Sequence, residues 1–290
     1  MGARAFRKRL VPNLLLLPLA AWLFCFALIP MAYGLWLSLH NAFIENLSQP
    51  TWAGLANYTY LFNDPAWARS LGWSLRFAVI SVTAQMVVGV AIAQFFNRAM
   101  PGKGLWTTLL LIPMVVSAAL IGTMFRLLFN EFVGPIQYLL NPITKGGALL
   151  GPNLVNLTII VADCINSIPF VFINIYAALQ SVSQELLEAA MVDGASAWQR
   201  FWHITMPLIL PIAAVTWLMR LLAAFLIFEL VFTLTSGGPG NMTQSASVYI
   251  YRRAFSRSDF GMANAASFTL GMLLLGPALV VVRRMMRPAR

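Results

Sequence analysis

The sequence predicts an all-α membrane protein with six spanning helices. Composition, the length of the apolar runs and the placement of Lys and Arg carry that prediction. Of 290 residues, 60% are hydrophobic and only 10% are charged. A soluble domain is about 45–50% apolar and about 25% charged. A helix crossing the hydrocarbon core needs about 20 apolar residues. Segments 13–39, 72–96, 105–129, 154–179, 207–234 and 263–282 supply them. Polar loops containing Gly and Pro lie between, such as Asn97–Gly104 and Thr235–Met262.

The first run follows Arg4, Arg7, Lys8 and Arg9 and extends from Asn13 to Leu39. The apolar region of a signal peptide is only about 7–15 residues long, so this run is expected to be the first membrane helix. The chain then divides into a cytoplasmic N-terminus (1–12), a spanning domain (13–282) and a basic cytoplasmic C-terminus (283–290).

Lys and Arg set the expected orientation. The N-terminus, Arg98 and Lys103, Arg200, and Arg283, Arg284, Arg287 and Arg290 put eleven of them on one side. Arg69, Lys145, Arg252, Arg253 and Arg257 put five on the other. The richer side is cytoplasmic. Both termini and the loop around Glu188 then face the cytoplasm of a multi-pass plasma-membrane protein. The net charge of +10 is explained by this placement. No basic stripe interleaved with aromatics points to nucleic acid.

Covalent chemistry finds little support. Cys25 and Cys164 both fall in apolar runs and read as core thiols. No spacing of Cys, His and carboxylates suggests a metal. His40 and His203 are isolated, near membrane edges. Gly102-Lys103-Gly104 lacks both the upstream glycine and the following hydroxyl of a phosphate loop. The chain is therefore expected to bind no cofactor and to catalyse no reaction.

The loop between the fourth and fifth runs is unusual for an apolar protein. Ser181-Val182-Ser183-Gln184 has the form of a capping box, which predicts a helix starting near Ser181 or Val182. Leu186, Leu187, Ala189 and Ala190 are strong helix formers. Glu185 and Glu188 suit the early turns, and Gly194 suits a C-terminal stop. A second short helix is expected over Ser196–Ile204, with Pro207 opening the next span. A short helix of this kind is suited to be gripped by a soluble partner.

The run Glu188-Ala189-Ala190-Met191-Val192-Asp193-Gly194-Ala195, continued by Phe201, Ile204 and Pro207, resembles the EAA loop of binding-protein-dependent ABC importers. Gly54-Leu55-Ala56-Asn57-Tyr58 with Leu61, Phe62 and Asp64, Pro113, and Thr235-Ser236-Gly237-Gly238-Pro239 resemble other parts of sugar permeases of the maltose or glycerol-phosphate type. Ser183 stands where the family often has proline. The resemblance implies the six-helix type I importer permease fold, with the segment at about 181–207 as the coupling loop. It assigns Glu188, Ala189, Ala190, Asp193, Gly194, Ala195, Phe201 and Pro207 to ATPase coupling. The implied partners are a second permease chain, two ATP-binding cassette subunits carrying ATP and Mg, and an extracytoplasmic solute-binding protein. The first helix is expected to wrap the second permease, with membrane lipid around the whole.

Ionisable groups inside spans usually face a cavity or a partner. Arg76 and Arg126 lie near span ends, where they can snorkel. Asp163, Arg220 and Glu229 lie deeper. Arg220 and Glu229, nine residues apart in one expected helix, would face nearly opposite sides. The resemblance places solute contacts at Asn166, Ser167 and Phe170 before the coupling loop, and at Arg220, Ala224 and Ile227 after it. Asn and Ser can hydrogen-bond sugar hydroxyls, and Phe can stack on a sugar ring, while Ala224 and Ile227 offer no polar side chain. Arg220 hints at an anionic group, and Asp163 or Glu229 at an amino group. The expected solute is a sugar, amino sugar or glycerophosphodiester. A secondary transporter acting alone and an integral-membrane transferase are the alternatives. The coupling loop argues against the first, and the lack of any framed site around Asp64 or Asp259 against the second.

Overall fold

The computed structural model describes residues 16–285 apart from Ala20 and Ala99, with the side chains of 277, 278 and 280–285 also outside the description. The basic residues Arg4, Arg7, Lys8, Arg9, Arg287 and Arg290 lie outside the described residues, as do the side chains of Arg283 and Arg284. The helices are α1 (Ile29–Ser38), α2 (Ala56–Asn63), α3 (Pro65–Phe96), α4 (Lys103–Val115), α5 (Ala118–Leu128), α6 (Pro135–Thr144) and α7 (Val155–Gln180). Then come α8 (Gln184–Val192), α9 (Ala197–Arg200), α10 (Met206–Phe225), α11 (Glu229–Thr235), α12 (Ala246–Tyr251) and α13 (Phe260–Met285). Contacts divide the chain into two units: Met1–Asp64 with Ile250–Met272, and Pro65–Tyr249 with Leu273–Arg290.

Among the described residues, four helical stretches are long and apolar enough to cross a membrane: Leu16–Ser38, Pro65–Phe96, Val155–Gln180 and Ala197–Phe225. The expected third span is broken into α4 and α5, which meet at 92°. Pro113 has no N–H to continue the ladder, and Ser117 restarts the chain as an N-cap whose Oγ accepts from Leu120 N–H. The expected fifth span is also displaced. It begins ten residues earlier, at Ala197, and ends at Phe225. Pro207 stands in the first turn of α10, as expected, but α10 continues a helical stretch that already begins at Ala197. A π turn over Phe201–Thr205 precedes it, closed by Met206 N–H on the Phe201 carbonyl. The expected sixth span lies in α13, which runs over Phe260–Met285.

In the first unit, two-residue strands β1 (His40–Asn41) and β2 (Thr51–Trp52) pair antiparallel, a small departure from an all-α chain. Asn57, within the Gly54–Tyr58 motif, is buried and donates Nδ2 to the carbonyls of Ser38 and His40. Its role is to tie α2 to the end of α1. Asp64 is ion-paired with Arg253. Cys25 is exposed, against the expectation of a core thiol. It lies on a helix whose large apolar side chains, among them Trp22, Phe26 and Met31, face outward.

The second unit is organised by α3 and α7. The buried face of α3 runs through Ser70, Ser74, Phe77, Ser81, Gln85, Gly89 and Ala93, one position per turn. Gly89 permits the close approach, since a Cβ there would fall 2.5 Å from Val171 Cγ1 on α7. Below it, Phe172, Ile175, Leu179 and Val182 pack with Ile209 and Ala213 of α10. Cys164, half-buried on α7, approaches the Ser81 carbonyl at 4.0 Å.

Candidate functional site

Two regions of the second unit carry chemistry, and one helix joins them. The first is the segment between α7 and α10. Its helix does not start at Ser181 or Val182 as the capping-box pattern suggests. Ser181 instead closes α7, its Oγ donating to the Ala178 carbonyl, and Val182 is buried. Burial of Val182 in the core fixes the chain direction, so α8 begins only at Gln184 behind an extended Ser183.

The stop is at the predicted place. Gly194 has φ +79°. Its N–H donates to the Met191 carbonyl, and the Ala195 N–H donates to the Ala190 carbonyl. This pair of bonds is the Schellman motif, which requires the left-handed residue that glycine supplies at least cost. Ser196 and Gln199 then form a reciprocal capping box at 3.3 and 2.8 Å, and Arg200 Nη1 donates to the Ala195 carbonyl at 2.8 Å. Two short helices are thus locked at a fixed angle by backbone and side-chain bonds.

Their outer surface is unusual. Glu188, Ala189, Asp193, Gly194 and Pro207 are exposed, and Ala190, Ala195 and Phe201 are half-buried. Val192 is 88% and Trp198 70% exposed, with Leu186, Met191 and Trp202 beside them in sequence and also exposed. Among the described residues the carboxylates of Glu185, Glu188 and Asp193 have no ion-pair partner. Apolar side chains here lie in the open next to carboxylates without ion-pair partners, a combination found at protein and membrane interaction sites.

The second region is a cavity of about 290 Å³ lined by Asp163, Asn166 and Ser167 of α7, Arg220 of α10, and the residues Leu226 to Leu230. It exists because two helices break. Asn166 Nδ2 donates to the carbonyls of Pro113 and Val116 at the α4–α5 bend, the first of which also accepts from Val116 N–H. Ser245 and Ser247 donate to the carbonyls of Ile227 and Leu226, freed between α10 and α11. Backbone broken at membrane depth must find such partners or line a cavity.

Beside the cavity lies a polar network. Asp163 Oδ2 accepts from Ser81 Oγ at 2.6 Å and Gln85 Nε2 at 2.7 Å. Its Oδ1 accepts from Ser167 Oγ at 3.2 Å and pairs with Arg220 Nη2 at 3.4 Å. Arg220 Nε donates to Gln85 Oε1 at 2.9 Å. Every polar atom of Gln85 has a partner, as a buried network requires. The Asp163 and Arg220 side chains are only 8% and 15% exposed. The pair ties α10 to α7, and Gln85 ties both to α3.

Asp163, Asn166, Ser167, Arg220, Ile227 and Glu229 therefore come together in one place. Phe170, one turn farther along α7, and Ala224, buried in helix packing, are absent from the lining. The expectation that Arg220 and Glu229 occupy opposite faces of one helix fails, because the helix ends between them. Sequence reasoning missed Ser81 and Gln85. Their signal was the seven- and eleven-residue spacing from Ser74 along one face of an apolar helix.

Fold and site together define a multi-pass membrane protein built as a component of a transport complex. The chain belongs to the family of binding-protein-dependent transport system inner membrane components, which it matches over residues 85–287. It is similar to the trehalose/maltose transport system permease protein MalF of Thermococcus litoralis, with 28% identity covering 96% of this chain and 94% of that one. The trehalose transport system permease protein SugA of Mycobacterium tuberculosis is 33% identical, over 92% and 85%. Its fold is similar to that of a chain in the crystal structure of a bacterial ABC transporter that imports the acidic polysaccharide alginate, with a TM-score of 0.84 at 22% identity over 99% of both chains.

Proposed function

We propose that the chain is the permease subunit of an ATP-driven importer that moves a carbohydrate-class solute inward by alternating access. The observation that carries this reading is continuity. Ala197–Phe225 is one helical stretch, with the exposed coupling segment at one end and Arg220 at the other. From Arg200 to Arg220 the rise is about 30 Å, most of a bilayer. A displacement of α8 and α9 by a partner is delivered along this rod to the Asp163–Arg220 pair and the cavity wall.

The partner on α8 and α9 is a separate ATPase, which carries ATP and Mg. Glu188 and Asp193 meet its basic groups, and Val192 and Trp198 fill its apolar socket. The excess of Lys and Arg supports a cytoplasmic position for this segment and both termini. A second permease chain completes the path, two ATPase subunits drive it, and an extracytoplasmic binding protein delivers the solute. This chain itself performs no covalent step. The relatives' names, with trehalose or maltose in two and sn-glycerol-3-phosphate in a third, support a sugar, amino sugar or glycerophosphodiester as solute, and Asn166 and Ser167 are suited to sugar hydroxyls.

The test is co-purification from native membranes of wild type, Glu188→Lys and Gly194→Asp, with the ATPase identified by mass spectrometry and by nucleotide hydrolysis. Wild type should bring down an ATPase, and both variants should insert normally yet lose it. Stable, inserted wild-type protein that recruits no ATPase refutes the reading.

A further inference from the structure

We infer that the cavity accepts uncharged or positively charged sugars and rejects anionic ones, and that Glu229 sets this preference. The inference rests on the carbohydrate reading above and narrows its solute class. Three charged side chains line the cavity: Asp163, Arg220 and Glu229.

Arg220 is the obvious candidate for holding a phosphate or carboxylate, but its charge is already committed. Asp163 pairs with it at 3.4 Å and Gln85 accepts from its Nε at 2.9 Å. The N–H groups that Asp163 and Gln85 leave free can still donate, but a full charge pair between Arg220 and an anionic solute requires displacing Asp163. That carboxylate, 8% exposed, would then lack a counter-charge in a water-poor site, which is strongly unfavourable. Ser81, Gln85 and Ser167 hold Asp163 where it is from three further directions.

Glu229 differs on every count. It is exposed, it sits on the cavity wall, and among the described residues its carboxylate has no ion-pair or hydrogen-bond partner. The break after Phe225 places it there: the chain leaves α10, turns, and re-enters α11 with Glu229 as the first helical residue. With Asp163 and Arg220 cancelling, the cavity carries one net negative charge.

The size of the effect follows from Coulomb's law. A unit charge about 6 Å from Glu229, at an effective dielectric of about 20, changes affinity by roughly a hundredfold, and solvent screening of an exposed carboxylate reduces that to the order of tenfold. The sign is opposite for an ammonium and a carboxylate on the solute. The volume of about 290 Å³ is at the small end of ligand pockets, about 300–1,000 Å³, which suits a single sugar unit at a time.

The experiment uses the assembled importer complex in detergent without its binding protein, so that the binding protein's selectivity does not enter. The probes are methyl glucoside, glucosamine with its amino group protonated, and glucuronate, each titrated by calorimetry. In wild type, glucosamine should bind at least roughly tenfold more tightly than glucuronate. Glu229→Gln should bring that ratio close to one, Glu229→Asp should keep it, and Glu229→Lys should invert it. Retained ATPase subunits show that each variant is folded. Glucuronate binding wild type as tightly as methyl glucoside, or a ratio unmoved by Glu229→Gln, overturns the assignment. Binding without charge discrimination removes only the charge inference, whereas failure of all three sugars to bind any variant removes the carbohydrate reading with it.

Discussion

The ion pair between Asp163 and Arg220 should be worth far more when one member is removed than when both are. Both side chains are largely shielded, at 8% and 15% exposure. Removing one partner of a buried pair costs about 3–5 kcal/mol, because the other charge is left uncompensated. Asp163→Leu leaves Arg220 with Gln85 alone and should fall at the upper end. Arg220→Met leaves Asp163 with three neutral donors, Ser81, Gln85 and Ser167, and should cost about 3 kcal/mol. The double variant buries apolar groups of similar size and should lose no more than about 2 kcal/mol. The coupling is then at least about 4 kcal/mol. Interhelical hydrogen bonds in membrane proteins average about 0.6 kcal/mol and reach about 1.7, so a coupling of this size has to come from the charges. Unfolding of the purified chain by dodecyl sulfate titration in mixed micelles measures all four forms. Additivity within about 0.5 kcal/mol would refute a mutually compensating pair and, with it, the claim that Arg220 is unavailable to an anion.

Three further outcomes follow from the packing. Gly89→Ala places a methyl 2.5 Å from Val171 Cγ1 and should destabilise by about 1–3 kcal/mol, with Val171→Ala in the same chain recovering most of it; equal stability of Gly89→Ala and wild type in the same titration refutes the contact. At Gly194, with φ +79°, ATPase recruitment should fall in the order Gly, Asn, Ala, Val, since only Asn approaches glycine's tolerance of this conformation; a Gly194→Val chain that recruits as well as wild type shows that the Schellman stop does not position the coupling helices. Asn166→Leu strips two donors from the Pro113 and Val116 carbonyls, for a loss of about 1–3 kcal/mol, and should raise hydrogen exchange at residues 116–120, where an unchanged pattern means the bend is held by something else.

Much of the coupling segment was legible because it is local. The Gly194 stop, the Ser196 start and the exposure of Glu188 and Asp193 follow from residues a few positions apart, and the longest part of the resemblance to importer permeases lies in the same short run. Helix α8 starts two to three residues later than the capping pattern predicts, since burial of Val182 against Ile209 and Ala213 overrides that pattern. Burial is a property of the assembled helices and leaves no trace in Ser181-Val182-Ser183-Gln184 itself.

The sequence by itself determined the class of protein, because transfer of apolar side chains out of water depends on composition and run length alone. It also marked Asp163, Arg220 and Glu229, since any charge in an apolar run is conspicuous. Only the tertiary structure decided what those charges do. Arg220 and Asp163 are 57 residues apart, and Gln85 is 135 residues from Arg220; a period along one helix cannot reveal a partner on another. The breaks at Val116 and at Leu226–Phe228 were likewise invisible as apolar sequence. They persist because Asn166, Ser245 and Ser247, supplied from elsewhere in the fold, donate to the backbone carbonyls at each break.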